Sequence, residues 1–320
     1  MRESRITGNN APETNFYKDG HALHYCNQRM IIIVDKVVNV TGGQGGNAFL
    51  LLGEEKAALI DCGMAYCAPN LISNIKKMLN KRMLNYILIS HSHYDHVGGV
   101  PYLKREWPDS KVLGADHAKQ VLNKTSALKT IRKLSRQAAV FFGADDLKEY
   151  DDDLLKVDNS IYDGNILDLG GLQIKVIKTQ GHTKCSLSFL VNNETLFASE
   201  STGCMSKSGK IYSAFITSCS DAINSIHICR EMNPRYIISP HFGLVSEDDM
   251  SHYWEKCILA VKETKEFILW LSKRGDNEEE ILTKYEKMFR DDQSRSEQPP
   301  SAFRLNNQNM IKTVLRENHC

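Results

Sequence analysis

The sequence feature that most constrains the fold and chemistry of this chain is a short apolar strand followed directly by a cluster of histidines. Residues 85–90 contain the buried-strand pattern Tyr-Ile-Leu-Ile and continue into Ser-His-Ser-His-Tyr-Asp-His-Val-Gly-Gly, residues 90–99. Three histidines and one aspartate thus fall within six residues. At this composition, a His-x-His-x-Asp-His pattern is expected by chance in roughly one chain in a thousand. The pattern therefore indicates a chemical site at a strand end.

The cluster has the chemistry and the spacing of a site for two metal ions. Imidazole and carboxylate groups together suit zinc, iron or manganese. Residues i and i+2 of an extended segment point to the same side, so His91 and His93 can share one ion. Asp95 and His96 lie in the turn that follows and can reach a second ion. Gly98 and Gly99 allow a tight turn and a close helix start.

Two histidines do not complete a metal site, so we expect further ligands at other strand ends. Four candidates each follow a predicted strand: Asp61, His182, Glu200 and His241. Glu200 as a surface acid and Asp61 as a turn residue remain alternatives. The other histidines have no comparable context and are expected at the surface or in packing roles: His21, His24, His117, His227, His252 and His319.

The first 245 or so residues alternate strands and helices, and the rest of the chain is helical. Two β-rich blocks, 31–61 and 166–199, are expected to form two facing sheets. The main predicted helices are 68–79, 99–106, 117–142 with a break near Thr125, and 221–232. We therefore expect an α/β domain over residues 1–245 and a helical extension over residues 246–320.

The extension begins with Ser246, which predicts a helix start. An apolar stripe continues at helical period to Leu271. Further helices are predicted at 277–290 and 306–317, joined by a polar linker with two prolines. Tyr253, Trp254 and Trp270 are expected to pack between the extension and the α/β domain. The alternative is that they line the substrate entrance.

Composition excludes several classes of protein. Lys and Arg number 40 against 39 Asp and Glu, whereas nucleic-acid binders usually carry a basic excess. The longest apolar runs, five residues each, are far shorter than the roughly 20 that a membrane span needs. Residues 1–17 are polar and lack a secretory signal pattern. Nine cysteines without a C-x-x-C pair indicate reduced thiols and a cytoplasmic location.

Over about residues 30–245, the motif and the later ligand candidates resemble the metallo-β-lactamase superfamily. The resemblance implies an α+β fold, a four-layer αββα sandwich with a C-terminal helical cap over the active site. Asp61 would orient the ligands or the nucleophile and Asp95 would take part in catalysis. Glu200 stands where the family usually has Asp, so it could bridge two ions, bind one only or leave the second site weak. The implied ligands are His91, His93 and His182 for one ion, Asp95, His96 and His241 for the other, and Glu200 between them.

Within that superfamily, the chain most resembles the 2-aminobenzoylacetyl-CoA thioesterase type of alkylquinolone biosynthesis. The resemblance rests on Pro-Tyr-Leu at 101–103, the helix pattern of 126–137 and the long helices after His241. Glyoxalase II also shares Ser-His-x-His-x-Asp-His-x-Gly-Gly and Gly-His-Thr.

These resemblances imply a hydrolase with two divalent ions, zinc or iron with manganese as an alternative. A metal-bound hydroxide would attack a small-molecule thioester such as acyl-CoA. A thiol leaves with a pKa of about 8.5, so it needs little help from an acid. The basic helix face at 124–136 is either solvated or attracts CoA phosphates.

Other functions stay open on the same scaffold. They are a lactonase, a phosphodiesterase, an iron-dependent oxidase, or a regulatory protein with a vestigial metal site. We expect no nucleic-acid or membrane partner, and a homodimer is compatible with the sequence.

Overall fold

A computed structural model describes residues 32–34, 36–144 and 147–318 of the chain. The polar leading residues 1–28, including His21 and His24, lie outside the described residues, as does His319. None of the described helices combines the length and the apolar character that crossing a membrane requires. The seven cysteines within the described ranges are free thiols.

The first sheet has seven strands that follow one another in chain order. Neighbouring strands among the first four pair antiparallel. From the fourth strand to the seventh, neighbouring strands pair parallel. Leu52 pairs with Ala57, so the third and fourth strands form a hairpin. The strands are β1 Ile32–Val34, β2 Val37–Asn39, β3 Phe49–Leu52, β4 Ala57–Ile60, β5 Tyr86–Leu88, β6 Lys111–Gly114 and β7 Asn159–Ser160.

The second sheet has six strands, built mainly from the later β-rich block. Its members are β8 Ile166–Asp168, β9 Gln173–Lys178, β10 Leu187–Val191, β11 Thr195–Phe197, β14 Tyr236–Ser239 and β15 Gly243–Leu244. Their order across the sheet is β15-β14-β11-β10-β9-β8. The β11–β14 pair is parallel, and the other neighbouring strands of this sheet pair antiparallel. A separate two-stranded ribbon consists of β12 Cys204–Met205 and β13 Ile211–Tyr212.

The described helices agree closely with the predicted ones up to residue 245. They are α1 Ala68–Leu79, α2 Tyr94–Val97, α3 Val100–Glu106, α4 Asp116–Leu122, α5 Thr125–Phe141, α6 Cys219–Glu231, α7 Glu247–Met250, α8 Tyr253–Lys273, α9 Glu278–Phe289, α10 Asp292–Glu297 and α11 Pro300–Glu317. Helix α1 has the predicted bounds, and the break before Thr125 separates α4 from α5.

The C-terminal extension differs from the prediction at two places. Helix α10 occupies the expected linker, because the Asp291 side chain caps it by accepting from the Ser294 amide. Helix α11 begins at Pro300 rather than Asn306, since proline fits the first turn of a helix. The Ser246 side chain caps the short α7, which precedes the long α8.

Three apolar clusters confirm the αββα sandwich. Between the sheets, Phe49 and Phe197 meet edge to face with ring centroids 5.3 Å apart. The outer face of the first sheet packs on α1, α3 and α5. The outer face of the second sheet packs on α6 and α8, with α9 and α11 in the same cluster. Four layers result, and the loops at the strand ends lie along the edges of the two sheets.

The extension is joined to the sandwich by apolar packing, and its own helices are joined by ion pairs. Tyr253 is fully buried and Trp254 nearly so, as predicted for core contacts. The prediction for Trp270 was wrong: its side chain is 52% exposed, and the Arg274 guanidinium lies 4.6 Å from its ring centroid. Glu286 on α9 pairs with Arg304 on α11 at 2.8 Å.

Replacing Ile311 on α11 by alanine tests this packing. Ile311 is fully buried in the cluster that joins α11 to the second sheet. Ile311→Ala should lower the free energy of unfolding by about 2–4 kcal/mol, measured by urea denaturation. Leu305→Ala, at a 40% exposed position on the same helix, is the matched control and should change it by about 0.5 kcal/mol or less. Equal effects of the two variants would contradict the packing described.

Candidate metal centre

The predicted ligands lie in loops that follow strands of both sheets. His91 and His93 come after β5 of the first sheet, whereas the later ligands His182, Glu200 and His241 follow β9, β11 and β14 of the second. The side chains fall into two groups, and within each group the ligand atoms all lie within 4.8 Å of one another. The groups are His91, His93 and His182, and Asp95, His96, Glu200 and His241. His117, His227 and His252 belong to neither group.

The first group consists of three imidazoles whose rings meet edge to face. Nε2 of His182 lies 3.0 Å from Nδ1 of His93, and the ring centroids of His91 and His182 are 4.8 Å apart. Burial and the neighbouring His182 lower the pKa of His93 to about 3. Nε2 of His91 is buried and has no hydrogen-bond partner within the described part of the chain. Neutral imidazoles with converging nitrogens are what a divalent metal ion needs.

The second group has two imidazoles directed at a carboxylate. Oε1 of Glu200 lies 2.7 Å from Nε2 of His96 and 3.1 Å from Nε2 of His241. Oδ2 of Asp95 lies 3.7 Å from the same His241 nitrogen. Although burial acts to raise the pKa of Glu200, His182 and His241 outweigh it, so the pKa is held well below its usual range. Glu200 is therefore an anion in the centre of the group.

Glu200 also faces the first group. Its Oε2 lies 3.3 Å from Nε2 of His182, and its Oε1 lies 3.7 Å from Nε2 of His91. The residue begins a 3-10 turn, Glu200–Thr202, directly after the extended Ser199. The carboxylate thus lies between the two groups. Of the three roles open to Glu200, this geometry favours the bridge.

Asp61 lies behind His96 and fixes its orientation. Its carboxylate accepts hydrogen bonds from the Ser90 amide and the Ser90 hydroxyl, both at 2.7 Å, and lies 2.8 Å from Nδ1 of His96. A His96 ring that donates from Nδ1 to Asp61 has its Nε2 lone pair free to ligate. Burial acts to lower the pKa of His96, but the carboxylates of Asp61 and Asp95 outweigh it and raise that pKa. This geometry suits the orienting role expected for Asp61.

His182 is held from behind by a backbone group that the sequence did not single out. Nδ1 of His182 hydrogen-bonds to the carbonyl oxygen of Ala214, which leaves Nε2 to face the site. Gly181 has φ +132°, and a Cβ there would lie 2.6 Å from the backbone of Ala222 on α6. The Gly181 carbonyl accepts from the amides of Ile216 and Thr217. The loop carrying Ala214 and the loop carrying His182 are therefore locked together.

The glycines after the motif are needed for space rather than for a special backbone angle. Gly99 has φ −77°, an ordinary helical value. A Cβ on it would lie 2.4 Å from the Cys62 carbonyl oxygen, so the start of α3 can approach that segment only as glycine. The predicted close helix start is confirmed.

A cavity opens directly onto the ligands. Asp95, His182, Glu200 and His241 form part of its lining. The extension contributes polar residues of 294–307 to the lining together with apolar side chains of α9 and α11: Tyr285, Phe289, Phe303 and Met310. The sequence predicted helices that contain Tyr285, Phe289 and Met310 but left Phe303 in the linker, and it carried no signal for the cavity.

The basic face of α5 is partly neutralised. Arg132 pairs with Glu149 at 2.7 Å and also contacts Asp152, and Arg136 pairs with Glu149 at 2.6 Å. These two guanidinium groups are therefore already engaged, which weakens the hypothesis that this face attracts CoA phosphates.

Residues 41–241 match the family model of the metallo-beta-lactamase superfamily. The chain belongs to this superfamily. Its sandwich also aligns with the crystal structure of a metallo-beta-lactamase family protein from Thermus thermophilus. The TM-score is 0.61 at 17% identity, and the alignment covers 89% of this chain and 95% of that one. At that identity, the similarity supports the fold alone.

Three curated relatives of this superfamily member are similar over part of their length. Glyoxylase B2 of Dictyostelium discoideum is 29% identical over 46% of this chain and 48% of its own. A hydroxyacylglutathione hydrolase of Glaesserella parasuis is 26% identical over 45% and 48%. The atrochrysone carboxyl ACP thioesterase of Aspergillus fumigatus is 24% identical over 51% and 44%. The chain thus spans about half the length of these relatives.

Divalent metal ions fit the residues present. The donor set combines imidazole nitrogens with carboxylate oxygens, which suits zinc, iron or manganese. The buried, unpartnered Nε2 of His91 would gain a ligand bond, and the Asp61–His96 contact is the outer support typical of such sites. In this superfamily member, each group would hold one ion and Glu200 would contact both.

Removing one histidine from each group tests the two-ion arrangement. Wild-type protein should contain about two divalent ions per chain, whereas His93→Ala and His241→Ala should each retain about one, because each variant disrupts one group. The measurement is metal content by plasma mass spectrometry after desalting. His227→Ala, at an exposed position on α6, is the control and should match wild type. Full occupancy in both site variants would contradict the grouping.

Neutralising Asp61 tests its positioning role. Asp61→Asn removes the charge that orients His96. The affinity for the ion held by the group that contains His96 should therefore fall roughly 10–100-fold. Competition with a chromogenic chelator measures this affinity. Asp109→Asn, at an exposed position before β6, supplies the control. An unchanged affinity in Asp61→Asn with wild-type circular dichroism would show that Asp61 does not act through the metal site.

Proposed function

We propose that this superfamily member is a metal-dependent hydrolase that cleaves thioesters of small-molecule acyl groups, with acyl-CoA or a similar carrier as substrate. The observation that carries the proposal is the position of the cavity. It is lined by members of both ligand groups and by residues of the extension, several of which are apolar. An apolar acyl group bound there would place its carbonyl carbon at the ligands.

The position of each side chain in the site indicates its role in the proposed reaction. Bound metal ions would supply a water of lowered pKa and stabilise negative charge on the substrate oxygen. Glu200 holds the two groups at a fixed separation through its two oxygens. Asp61 and the Ala214 carbonyl fix the rings of His96 and His182, so the ligand nitrogens need no rearrangement during the reaction.

Protonatable groups in the cavity wall favour a thiol leaving group. Burial raises the pKa of Tyr285 to about 12 and raises the pKa of the Cys204 thiol well above its usual value. Such groups hold their protons too tightly to act as general acids near neutral pH, which leaves Asp95 or a water as the proton donor for a poor leaving group. An amine leaving group would need a proton, whereas a thiolate with a pKa of about 8.5 leaves without one. A thioester therefore makes the smallest demand on the proton donors of this cavity.

The relatives support the same reaction class. One is named for hydroxyacylglutathione and another for an acyl carrier protein thioester, and both names describe cleavage of an acyl group from a carrier. The helices beyond His241, which contribute cavity wall, support the 2-aminobenzoylacetyl-CoA thioesterase type in particular. On this proposal, residues 1–245 carry the ligands and residues 246–320 form the cap.

A substrate panel tests the proposal. Metal-replete protein should hydrolyse acyl-CoA or acyl-glutathione thioesters at least about tenfold faster, in kcat/KM, than a lactone, a phosphodiester or a cephalosporin amide of similar size. Free thiol release measures the thioester reaction. His93→Ala should lose most of this activity together with bound metal, because it removes a ligand of the first group.

A higher kcat/KM for the lactone or the phosphodiester than for the thioesters would contradict the proposal and indicate a lactonase or a phosphodiesterase. Oxygen consumption by the iron-loaded protein would point to redox chemistry instead. Normal metal content without turnover of any panel member would favour a regulatory protein.

A further inference from the structure

The outward face of α8 carries large apolar side chains in contact with solvent. Leu259 is 54% exposed and Trp270 is 52% exposed. At 3.6 residues per turn, these two positions lie within about 20° of each other around the helix axis. Met288 on α9 is 63% exposed and lines a groove together with Trp270. Apolar side chains that are exposed as a group indicate an interaction surface.

The groove lies between the C-terminal halves of α8 and α9 and combines apolar side chains with cations. The Arg274 guanidinium lies 4.6 Å from the Trp270 ring centroid, and the Lys284 ammonium pairs with Asp276 at 2.6 Å. Such a groove suits an apolar side chain that is flanked by carboxylates. The lining includes the apolar Phe267, Trp270 and Met288 and the cations Arg274, Lys284 and Lys287.

The N-terminal half of the same α8 face has that complementary pattern. Glu255, Leu259 and Glu263 follow one another at intervals of four residues, so the leucine lies between two acids on one stripe of the helix. All three side chains are exposed. One helix face therefore carries an acidic half with a protruding leucine and a basic half beside an apolar groove. The two halves are complementary to each other but cannot meet within one chain.

We propose that two copies of this chain associate through this face, with their α8 helices antiparallel about a two-fold axis. Leu259 of one copy then lies in the groove beside Trp270 of the other. Glu255 lies four residues before Leu259, and Arg274 lies four residues after Trp270. The register that brings the leucine to the groove therefore also brings Glu255 to Arg274. A two-fold axis makes each of these contacts twice.

The other charged groups on and beside this face are compatible with the register. Lys262 of one copy faces Glu266 of the other, which offsets the carboxylates that the axis brings together. Arg230 on α6 already pairs with Glu255 at 3.1 Å within the chain, but both side chains are about half exposed. Such a pair contributes little, and a carboxylate can accept from two guanidinium groups. Glu255 therefore stays available to Arg274 of the second copy.

The proposed interface lies away from the metal centre. Lys284 and Met288 of α9 line the groove, whereas Tyr285 and Phe289 of the same helix line the cavity at the ligands. Two different faces of α9 thus serve the two surfaces, and a second copy on the groove leaves the cavity free. The association is independent of the proposed thioester hydrolysis, so either can fail without the other.

Sedimentation velocity of the full chain tests the association. Wild type at about 50 µM should sediment at twice the chain mass of 36.2 kDa and should dissociate on dilution, since one helix face forms a small interface. Leu259→Lys should weaken the dimer at least about tenfold, because it brings a cation to a groove that already holds cations. Wild type that stays monomeric up to about 200 µM would leave this face to a different partner and overturn the inference.

A charge exchange tests the antiparallel register. Glu255→Arg and Arg274→Glu should each weaken the dimer about tenfold or more, because each places like charges opposite each other twice. The combined variant should recover to within about threefold of wild type. The two positions lie roughly 28 Å apart along one helix, so they cannot compensate for each other within a chain. No effect of either single variant, or no recovery in the combined one, would overturn the inference.

Glu194→Arg is the matched charge control. Glu194 is exposed in the turn between β10 and β11, away from α8 in the fold. This variant should dimerise like wild type. The α8 variants should keep the wild-type circular dichroism and metal content, since the substituted side chains are exposed. A loss of dimer with Glu194→Arg as large as that with Glu255→Arg would assign the effect to net charge and overturn the inference.

Discussion

The Glu200 carboxylate, buried between two groups of imidazoles, is the interaction on which the rest of the site depends. A carboxylate that is only 7% exposed is costly to bury unless opposite charge or hydrogen bonds compensate. Compensation comes from His96 on α2 and from His182 and His241 in two loops. These three segments meet because the two sheets stack face to face. The sandwich and the site therefore stabilise each other.

Backbone strain at two of the supporting positions shows how strongly the fold determines this geometry. Asp61 has φ +56° and His241 has φ +59°, values that residues other than glycine seldom adopt. Such conformations cost about 1–3 kcal/mol each and persist where the surroundings over-determine them. Asp61 follows β4, and His241 lies in the turn between β14 and β15. The strained backbone sets orientation: each side chain is aimed at Glu200 or at a histidine that contacts it.

Local sequence patterns predicted most elements, because helical period and strand alternation are read within a few residues. Helix α1 and the break before Thr125 are examples. The metal motif could also be predicted, since four of its ligands are nearly contiguous in the sequence. The features that could not be predicted depend on contacts between distant segments: the Ala214 carbonyl behind His182, and the cavity wall from α9 and α11. Trp270 shows the same limit, because its helical phase alone did not reveal that its side chain is half exposed.

The most direct test of the central claim is a crystal structure of the metal-loaded protein with anomalous diffraction data collected on both sides of the metal absorption edge. The account predicts two anomalous peaks within one site, one beside His91, His93 and His182 and one beside Asp95, His96 and His241, with the Glu200 carboxylate contacting both. A single peak, or two peaks with Glu200 turned away from one of them, would contradict it.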